Sequence, residues 1–179
     1  CQTQGAIDTA FAAWLATASG FGGCEGFLTN DAEGAPSYCG GVSTVTFTYN
    51  PNTTCYEAVT CTSTFTVDTP ATLYITCPEA VTLESCQTQG AIDTAFAAWL
   101  ATAAGRGGCA GELRNNNQGA PNYCGGSTEV TFTYYSSCAP FTTSCTSTFT
   151  VDTIPAPQIT CPAPFTADAC QTQGAIDTA

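Results

Sequence analysis

The stretch Cys1–Ala18 reads CQTQGAIDTAFAAWLATA, and Cys86–Ala103 repeats it letter for letter. Cys170–Ala179 begins the same string a third time, so the period is 85 residues and then 84. Identity of this length between neighbours indicates a tandem array in which each unit is one supersecondary package. We therefore expect the polypeptide to continue into further repeats.

Cysteines recur at regular places, six in each period. The first period holds Cys1, Cys24, Cys39, Cys55, Cys61 and Cys77, and the second holds Cys86, Cys109, Cys124, Cys138, Cys145 and Cys161. Cys170 is the thirteenth. No Cys-x-x-Cys pair is present, so disulfides formed in an oxidising compartment explain the cysteines better than metal sites do. An even number in each period predicts that every unit closes its own bridges.

Proline-bearing stretches at Asp68–Thr72 and Asp152–Gln158 are the best linkers between folding units. They divide the chain into a partial repeat over residues 1–70 that lacks its first strand, a complete repeat over 71–154, and the start of a third repeat over 155–179. The complete repeat contains a closed set of six cysteines.

Apolar side chains alternate with polar ones in three segments of the complete repeat. The apolar parity comprises Leu73, Ile75, Cys77, Val81 and Leu83, then Val130, Phe132 and Tyr134, and then Cys145, Phe149 and Val151. The opposite parity of the last two segments is mostly threonine. A period of two is typical of half-buried strands, and threonine suits a β surface that faces water. Antiparallel sheets are the expected arrangement, and direct binding of ice or carbohydrate by the threonine rows is an open alternative.

One segment breaks the β pattern with apolar residues at helical spacing. These residues are Ile92, Phe96, Trp99, Leu100 and Ala103. They predict an amphipathic helix from about residue 88 to 104, with Thr88 as its cap and Asp93 complementing the helix dipole in its first turn. The apolar stripe is expected to close one end or face of the β core.

Cys77 and Cys145 lie at inward-facing positions of the first and last predicted strands. We therefore favour a disulfide between them. The pairing of Cys86, Cys109, Cys124 and Cys138 stays open, because a helix roughly 25 Å long would separate Cys86 from Cys109. Three bridges of roughly 2 to 4 kcal/mol each could equal the whole net stability of such a unit.

Acidic residues outnumber basic ones by fourteen to two, which gives a formal net charge of -12. This charge excludes nucleic acid and anionic membrane surfaces as partners. No apolar run approaches the roughly 18 residues that a membrane span needs, so we expect no membrane insertion of this segment. The cysteines and the charge together predict an extracellular location.

Histidine and lysine are absent from the sequence. Their absence removes Ser-His-Asp and Cys-His catalysis, Schiff bases and histidine zinc sites. We therefore expect no catalytic residue, no cofactor and no enzyme activity. Calcium at the unit junctions is an alternative, because Asp68 and Asp152 recur just before the linkers.

Three motifs carry a resemblance to a known family: ITCP at Ile75–Pro78, STEVTFTY at Ser127–Tyr134 and CTSTFTV at Cys145–Val151. Together they resemble hyalin-repeat (HYR-like) modules. The CQTQ-AID-AFAAWLATA-GGC version is similar to the subtype of very large Bacteroidota surface proteins, including gliding-motility adhesins exported by type IX secretion. The resemblance covers essentially the whole chain.

This resemblance implies a mainly β fold of tandem immunoglobulin-like antiparallel β-sandwich units. Each unit would contain one short amphipathic α-helix insert and about three disulfides. Ordinary members of the family imply a bridge between Cys86 and Cys109, which the helix-length argument opposes. The repeated Asp-Thr-Ala is similar to the O-glycosylation signal of the lineage, and Asp152-Thr153-Ile154 also fits it. The implied glycosylation sites are Thr9, Thr94, Thr178 and Thr153.

The expected function is that of a structural or adhesive stalk or filament of a giant secreted cell-surface protein, made mechanically robust by disulfides. Its expected partners are neighbouring repeats of the same chain, together with like filaments, surface glycans or other cells. The alternative is a glycan- or cell-binding module. Recognition would then lie in the loop around residues 111–122, which differs most between the repeats.

Overall fold

A computed structural model of the chain describes residues 1–166, 169 and 172–177, and it is mostly β. In the first repeat, residues 1–70, the elements are α1 (Gln4–Leu15), β1 (Phe27–Asn30), β2 (Gly41–Asn50) and β3 (Val59–Val67). In the second repeat, residues 71–154, they are β4 (Tyr74–Thr76), β5 (Val81–Leu83), α2 (Gln89–Leu100), β6 (Ala104–Arg106), β7 (Glu112–Asn115), β8 (Gly126–Tyr135) and β9 (Thr142–Val151). The short α3 (Gln173–Asp177) follows.

Both long helices begin at a threonine cap. The Thr88 hydroxyl accepts a hydrogen bond from the Ala91 N–H at 3.2 Å, and Thr3 does the same for Ala6. The helix α2 ends at Leu100, earlier than predicted, because the chain from Ala104 extends into β6. Asp93 was predicted to lie in the first turn and to complement the helix dipole, but it lies beyond that turn. Its carboxylate accepts a hydrogen bond from Gln89 Nε2 at 2.8 Å.

The second repeat forms a four-stranded sheet in the order β5-β9-β8-β7 and a two-stranded sheet of β4 and β6. Most pairings are antiparallel, as predicted, but β5 runs parallel to β9, with Val81 opposite Phe149. The expected single first strand is divided between the two sheets as β4 and β5. The first repeat forms a three-stranded sheet in the order β1-β2-β3.

The core of the second repeat lies between α2 and the inner face of the large sheet. Its buried members are Ile92, Phe96, Trp99, Val130, Phe132, Phe149 and Val151. Phe96 and Phe149 meet edge to face at 5.3 Å between ring centroids. Ile75 and Cys77 of the β4 segment pack against the same core. The helix therefore covers the β core, as its apolar stripe predicted.

The first repeat has the same arrangement with less cover. Phe11 and Phe65 meet edge to face at 5.3 Å, as their counterparts do in the second repeat. Trp14 is only partly buried, whereas the side chain of its counterpart Trp99 is 5% exposed. The counterparts of β4 and β5 in this repeat would precede Cys1 in the sequence.

Candidate functional site

Three disulfides join described residues, and two of them connect the first repeat to the second. Cys1 bonds to Cys109, with 5.7 Å between their Cα atoms, and Cys39 bonds to Cys138, with 5.3 Å. We call these two disulfides and the residues around them the junction. The third disulfide joins Cys77 to Cys145 within the second repeat, with 5.9 Å between the Cα atoms.

Gln4 brings together the two junction cysteines of the first repeat. Its side-chain Nε2 donates to the Pro36 carbonyl at 3.1 Å, and its Oε1 accepts from the Tyr38 N–H at 2.9 Å. These bonds hold the segment before Cys39 against the start of α1, which follows Cys1. Gln89 makes the same two bonds to Pro121 and Tyr123 in the second repeat.

A serine organises the opposite half of the junction. The Ser136 hydroxyl oxygen accepts hydrogen bonds from the N–H groups of both Cys109 and Cys138, each at 3.0 Å. The adjacent Ser137 hydroxyl donates to the Cys109 carbonyl at 3.0 Å. Because both cysteines are almost fully buried and share one hydroxyl, they form a fixed platform for the disulfides.

Six exposed cysteines remain unpaired in the described part of the chain: Cys24, Cys55, Cys61, Cys86, Cys124 and Cys161. Four of them are counterparts of junction cysteines. Cys24 and Cys55 correspond to the platform pair, and Cys86 and Cys124 correspond to Cys1 and Cys39. Each repeat therefore carries both halves of a junction. Cys170 lies outside the described residues.

The bond between Cys77 and Cys145 is the pair that strand parity favoured. The prediction that each repeat closes all its own bridges is wrong for the other two disulfides. The pairing of Cys86 with Cys109 is also wrong, because Cys109 bonds to Cys1 and Cys86 is unpaired. The helix between Cys86 and Cys109 was the sequence signal against that pair.

The predicted glycosylation threonines are accessible where the structure describes them. Thr9 and Thr94 lie on the exposed sides of α1 and α2, and each hydroxyl donates to the carbonyl four residues earlier at 2.8 Å. Thr153 is exposed just after β9. Thr178 lies outside the described residues.

The two aspartates considered for calcium lie just after the ends of β3 and β9. Both Asp68 and Asp152 are exposed. Among the described residues, no three His, Cys, Asp or Glu side chains form a group that could hold a metal ion. The described residues therefore offer no ligand cluster for the calcium alternative.

The variable loop around residues 111–122 contains β7 and the turn after it. The Arg114 guanidinium makes two 2.8 Å hydrogen bonds to the Glu112 carboxylate and lies 5.4 Å from the centre of the Tyr135 ring. The hydrogen bond from Arg114 holds the pKa of the Glu112 carboxyl below its usual value. A groove of about 420 Å³ beside them is lined by Arg114, Asn115, Asn116, Thr131, Thr133 and Tyr135.

No family model, curated protein or solved structure matches the chain. Within the residues that the structure describes, no helix combines the length and the apolar character needed to cross a lipid bilayer.

Proposed function

We propose that this chain is part of a tension-bearing stalk or filament built from tandem repeats of a secreted cell-surface protein. The observation that carries the proposal is the pair of disulfides that crosses from one repeat to the next. If the disulfides served only to stabilise single domains, bridges inside each repeat would contribute the same free energy of unfolding.

Two crossing bonds at one junction restrain bending as well as separation. One disulfide leaves two domains free to pivot about it, whereas a second bond at another point of the interface removes much of that freedom. The bonds close loops of 108 and 99 residues, so long segments of chain cannot extend under load. These properties suit a spacer that carries force.

For the fold of each unit we favour an immunoglobulin-like sandwich with a helix insert. The β4 side chain Ile75 and the β8 side chain Phe132 belong to different sheets but contact one core. The Cys77–Cys145 disulfide links the same two layers. This arrangement supports the resemblance to HYR-like modules of Bacteroidota surface proteins exported by type IX secretion.

The compartment and use that fit best are the cell exterior and adhesion or gliding motility. Disulfides persist in oxidising surroundings. The exposed Thr9 and Thr94 hydroxyls leave room for O-linked sugars. Neighbouring repeats are the first partners in this proposal, followed by like filaments, surface glycans or other cells. We propose no catalytic role.

An antibody raised against the second repeat tests the location and shape of the stalk. We expect it to label intact producing cells, and in electron micrographs the gold particles should lie away from the membrane along thin projections. Pre-immune serum is the control for background. Labelling only after permeabilisation would contradict the proposal.

A second candidate function is glycan binding in the groove beside Arg114. The groove combines a cation, amides, hydroxyls and the ring of Tyr135, which is 40% exposed. The first repeat has Thr29 and Asn50 in place of Arg114 and Tyr135. The groove chemistry therefore differs between two repeats that share a scaffold, as a specific recognition site would.

Replacing Arg114→Thr and Tyr135→Asn gives the second repeat the residues of the first at these two positions. If the groove binds a glycan found on a glycan array, we expect affinity to fall about ten-fold or more, because the aromatic and cationic contacts are lost. Tyr56→Asn, on an exposed tyrosine of the first repeat, is the matched control. Unchanged binding in the double variant would rule out this groove.

A further inference from the structure

The strand β7 forms an open edge of the large sheet in the second repeat. It comes last in the strand order β5-β9-β8-β7, and among the described strands it pairs with β8 alone. Its residues are exposed except Leu113, which is partly buried. The elements before and after it in the sequence, β6 and β8, are both in place. The open edge is therefore a property of the fold of this repeat.

The backbone of β7 presents hydrogen-bonding groups on this edge. Just after the strand, the Asn116 N–H donates to the Thr131 carbonyl of β8 at 3.2 Å. Residues that bond across an antiparallel pair alternate with residues that do not, so Glu112 and Arg114 also bond towards β8, whereas Leu113 bonds away from it. No hydrogen bond from another described residue reaches the Leu113 N–H or carbonyl. A further strand on this edge would satisfy both groups.

The side chains of β7 carry opposite charges on the outer face of the sheet. Glu112 and Arg114 are two residues apart and form a 2.8 Å ion pair, with their side chains 57% and 64% exposed. Arg114 is one of only two basic residues in the chain. Charged side chains usually protect an edge strand, because like charges meet when two edges approach. That protection fails when the charges alternate in sign.

The order of these charges is complementary to an antiparallel copy of the same strand. When Leu113 lies opposite Leu113 of a second copy, the two leucines exchange both of their free backbone hydrogen bonds. Glu112 of each copy then faces Arg114 of the other. These two charged pairs occupy the positions without backbone hydrogen bonds, where facing side chains come closest.

Other registers lack this complementarity. An antiparallel pair centred on Glu112 places two carboxylates opposite each other, and one centred on Arg114 places two guanidinium groups together. Like charges in facing positions are destabilising. The charges therefore select the register centred on Leu113, which also brings two partly buried leucines side by side at the margin of the core.

The corresponding edge of the first repeat has no such charge pattern. Its strand β1 reads Phe27, Leu28, Thr29 and Asn30. The leucine is kept at the same position, but neither of its neighbours is charged. Complementarity to a second copy is therefore specific to the edge of the second repeat.

We propose that the β7 edge is a docking surface for β7 of a second copy of this chain. The two strands pair antiparallel about Leu113 and join two large sheets into one, with a Glu112–Arg114 pair between the copies on each side of the centre. This proposal rests on the proposed function, because it names the surface through which like filaments associate side by side.

Charge reversal in the full chain tests the docking surface. The exposed thiols are first alkylated with iodoacetamide without reduction, so that the disulfides persist and no covalent dimer forms. Sedimentation equilibrium from about 10 µM to 1 mM then measures self-association, because a contact of this size is weak. We expect Glu112→Arg and Arg114→Glu each to weaken self-association about ten-fold or more, since like charges then face each other in both pairs.

Mixing the two variants provides the decisive arm of the experiment. One variant has a wholly basic β7 and the other a wholly acidic β7, so both cross-strand pairs become attractive in the mixed dimer. We expect the mixed dimer to be at least as stable as the parent dimer, a rescue that misfolding of either variant cannot produce. Both variants remain strongly acidic overall, so net charge does not explain such a rescue.

Glu129→Arg and Arg106→Glu are the matched controls. Each makes the same change in net charge at an exposed residue outside β7. We expect both controls to self-associate like the parent. Controls that weaken association as much as the β7 variants, or a mixture of β7 variants without rescue, would overturn the proposal.

Hydrogen–deuterium exchange locates the contact. As the parent concentration rises, the peptide that contains Leu113 should exchange more slowly, because its N–H becomes bonded in the dimer. The peptide that contains Leu28 of β1 should not change. Protection at β1 instead of β7, or a parent that stays monomeric up to about 1 mM, would overturn docking through β7. The stalk would still stand in either case, because it rests on the disulfides between repeats and is tested by surface labelling.

Discussion

Full reduction is expected to lengthen the stretched chain by about 370 Å when it is pulled from its two ends. The Cys1–Cys109 bond removes a separation of 108 residues from the extended path, and each residue contributes about 3.4 Å. Single-molecule force spectroscopy with handles fused to both termini measures the difference between oxidised and reduced chains.

Two double variants assign this difference to the junction. Cys1→Ser with Cys39→Ser should leave only the 68 residues between Cys77 and Cys145 hidden, about 230 Å less than the reduced length. Cys77→Ser with Cys145→Ser should extend almost like the oxidised parent, because Cys1–Cys109 still shortens the path. Equal lengths for the first double variant and the parent would show that the junction bonds carry no load.

Phe149→Ala is expected to destabilise the second repeat by about 3 to 5 kcal/mol, because the ring is 1% exposed and fills a closed core. The counterpart change Phe65→Ala in the first repeat should cost about 1 to 2 kcal/mol, because that ring is only partly buried and lines a groove of about 510 Å³. The two sites share one edge-to-face ring geometry, so they form a matched pair.

Hydrogen–deuterium exchange followed by peptide mass measurement resolves the two repeats within one molecule. Peptides of β8 should lose about two to four orders of magnitude of protection in Phe149→Ala. Peptides of β2 should lose about one order in Phe65→Ala. Similar losses at the two sites would mean that the first core is as well covered as the second.

The elements that could be predicted were those with a strong local signal. The 3.6-residue spacing of Ile92, Phe96 and Trp99 located the helix, and Thr88 located its start. Alternation around Phe132 and Phe149 located the long strands. Parity also identified Cys77 and Cys145, because Cys77, directly after β4, and Cys145 of β9 both pack against one core.

The features that were not predicted depend on contacts between segments. Strand β6 is a strand because it pairs with β4, which lies 30 residues earlier in the sequence. The junction escaped prediction for a similar reason. Identical spacing in each repeat fits bridges inside a repeat and bridges to the next one equally well. The Gln4 and Ser136 hydrogen bonds that choose between them appear only in three dimensions.

The interleaving of the three disulfides has a consequence for survival among proteases. The bonds Cys1–Cys109, Cys39–Cys138 and Cys77–Cys145 overlap along the sequence, so a single backbone cut anywhere between Cys1 and Cys145 leaves both pieces covalently joined. Between Cys1 and Cys145, a fragment can leave only when two cuts fall within one stretch that contains no bonded cysteine. A filament with this disulfide connectivity would keep its length after many isolated cuts in the backbone.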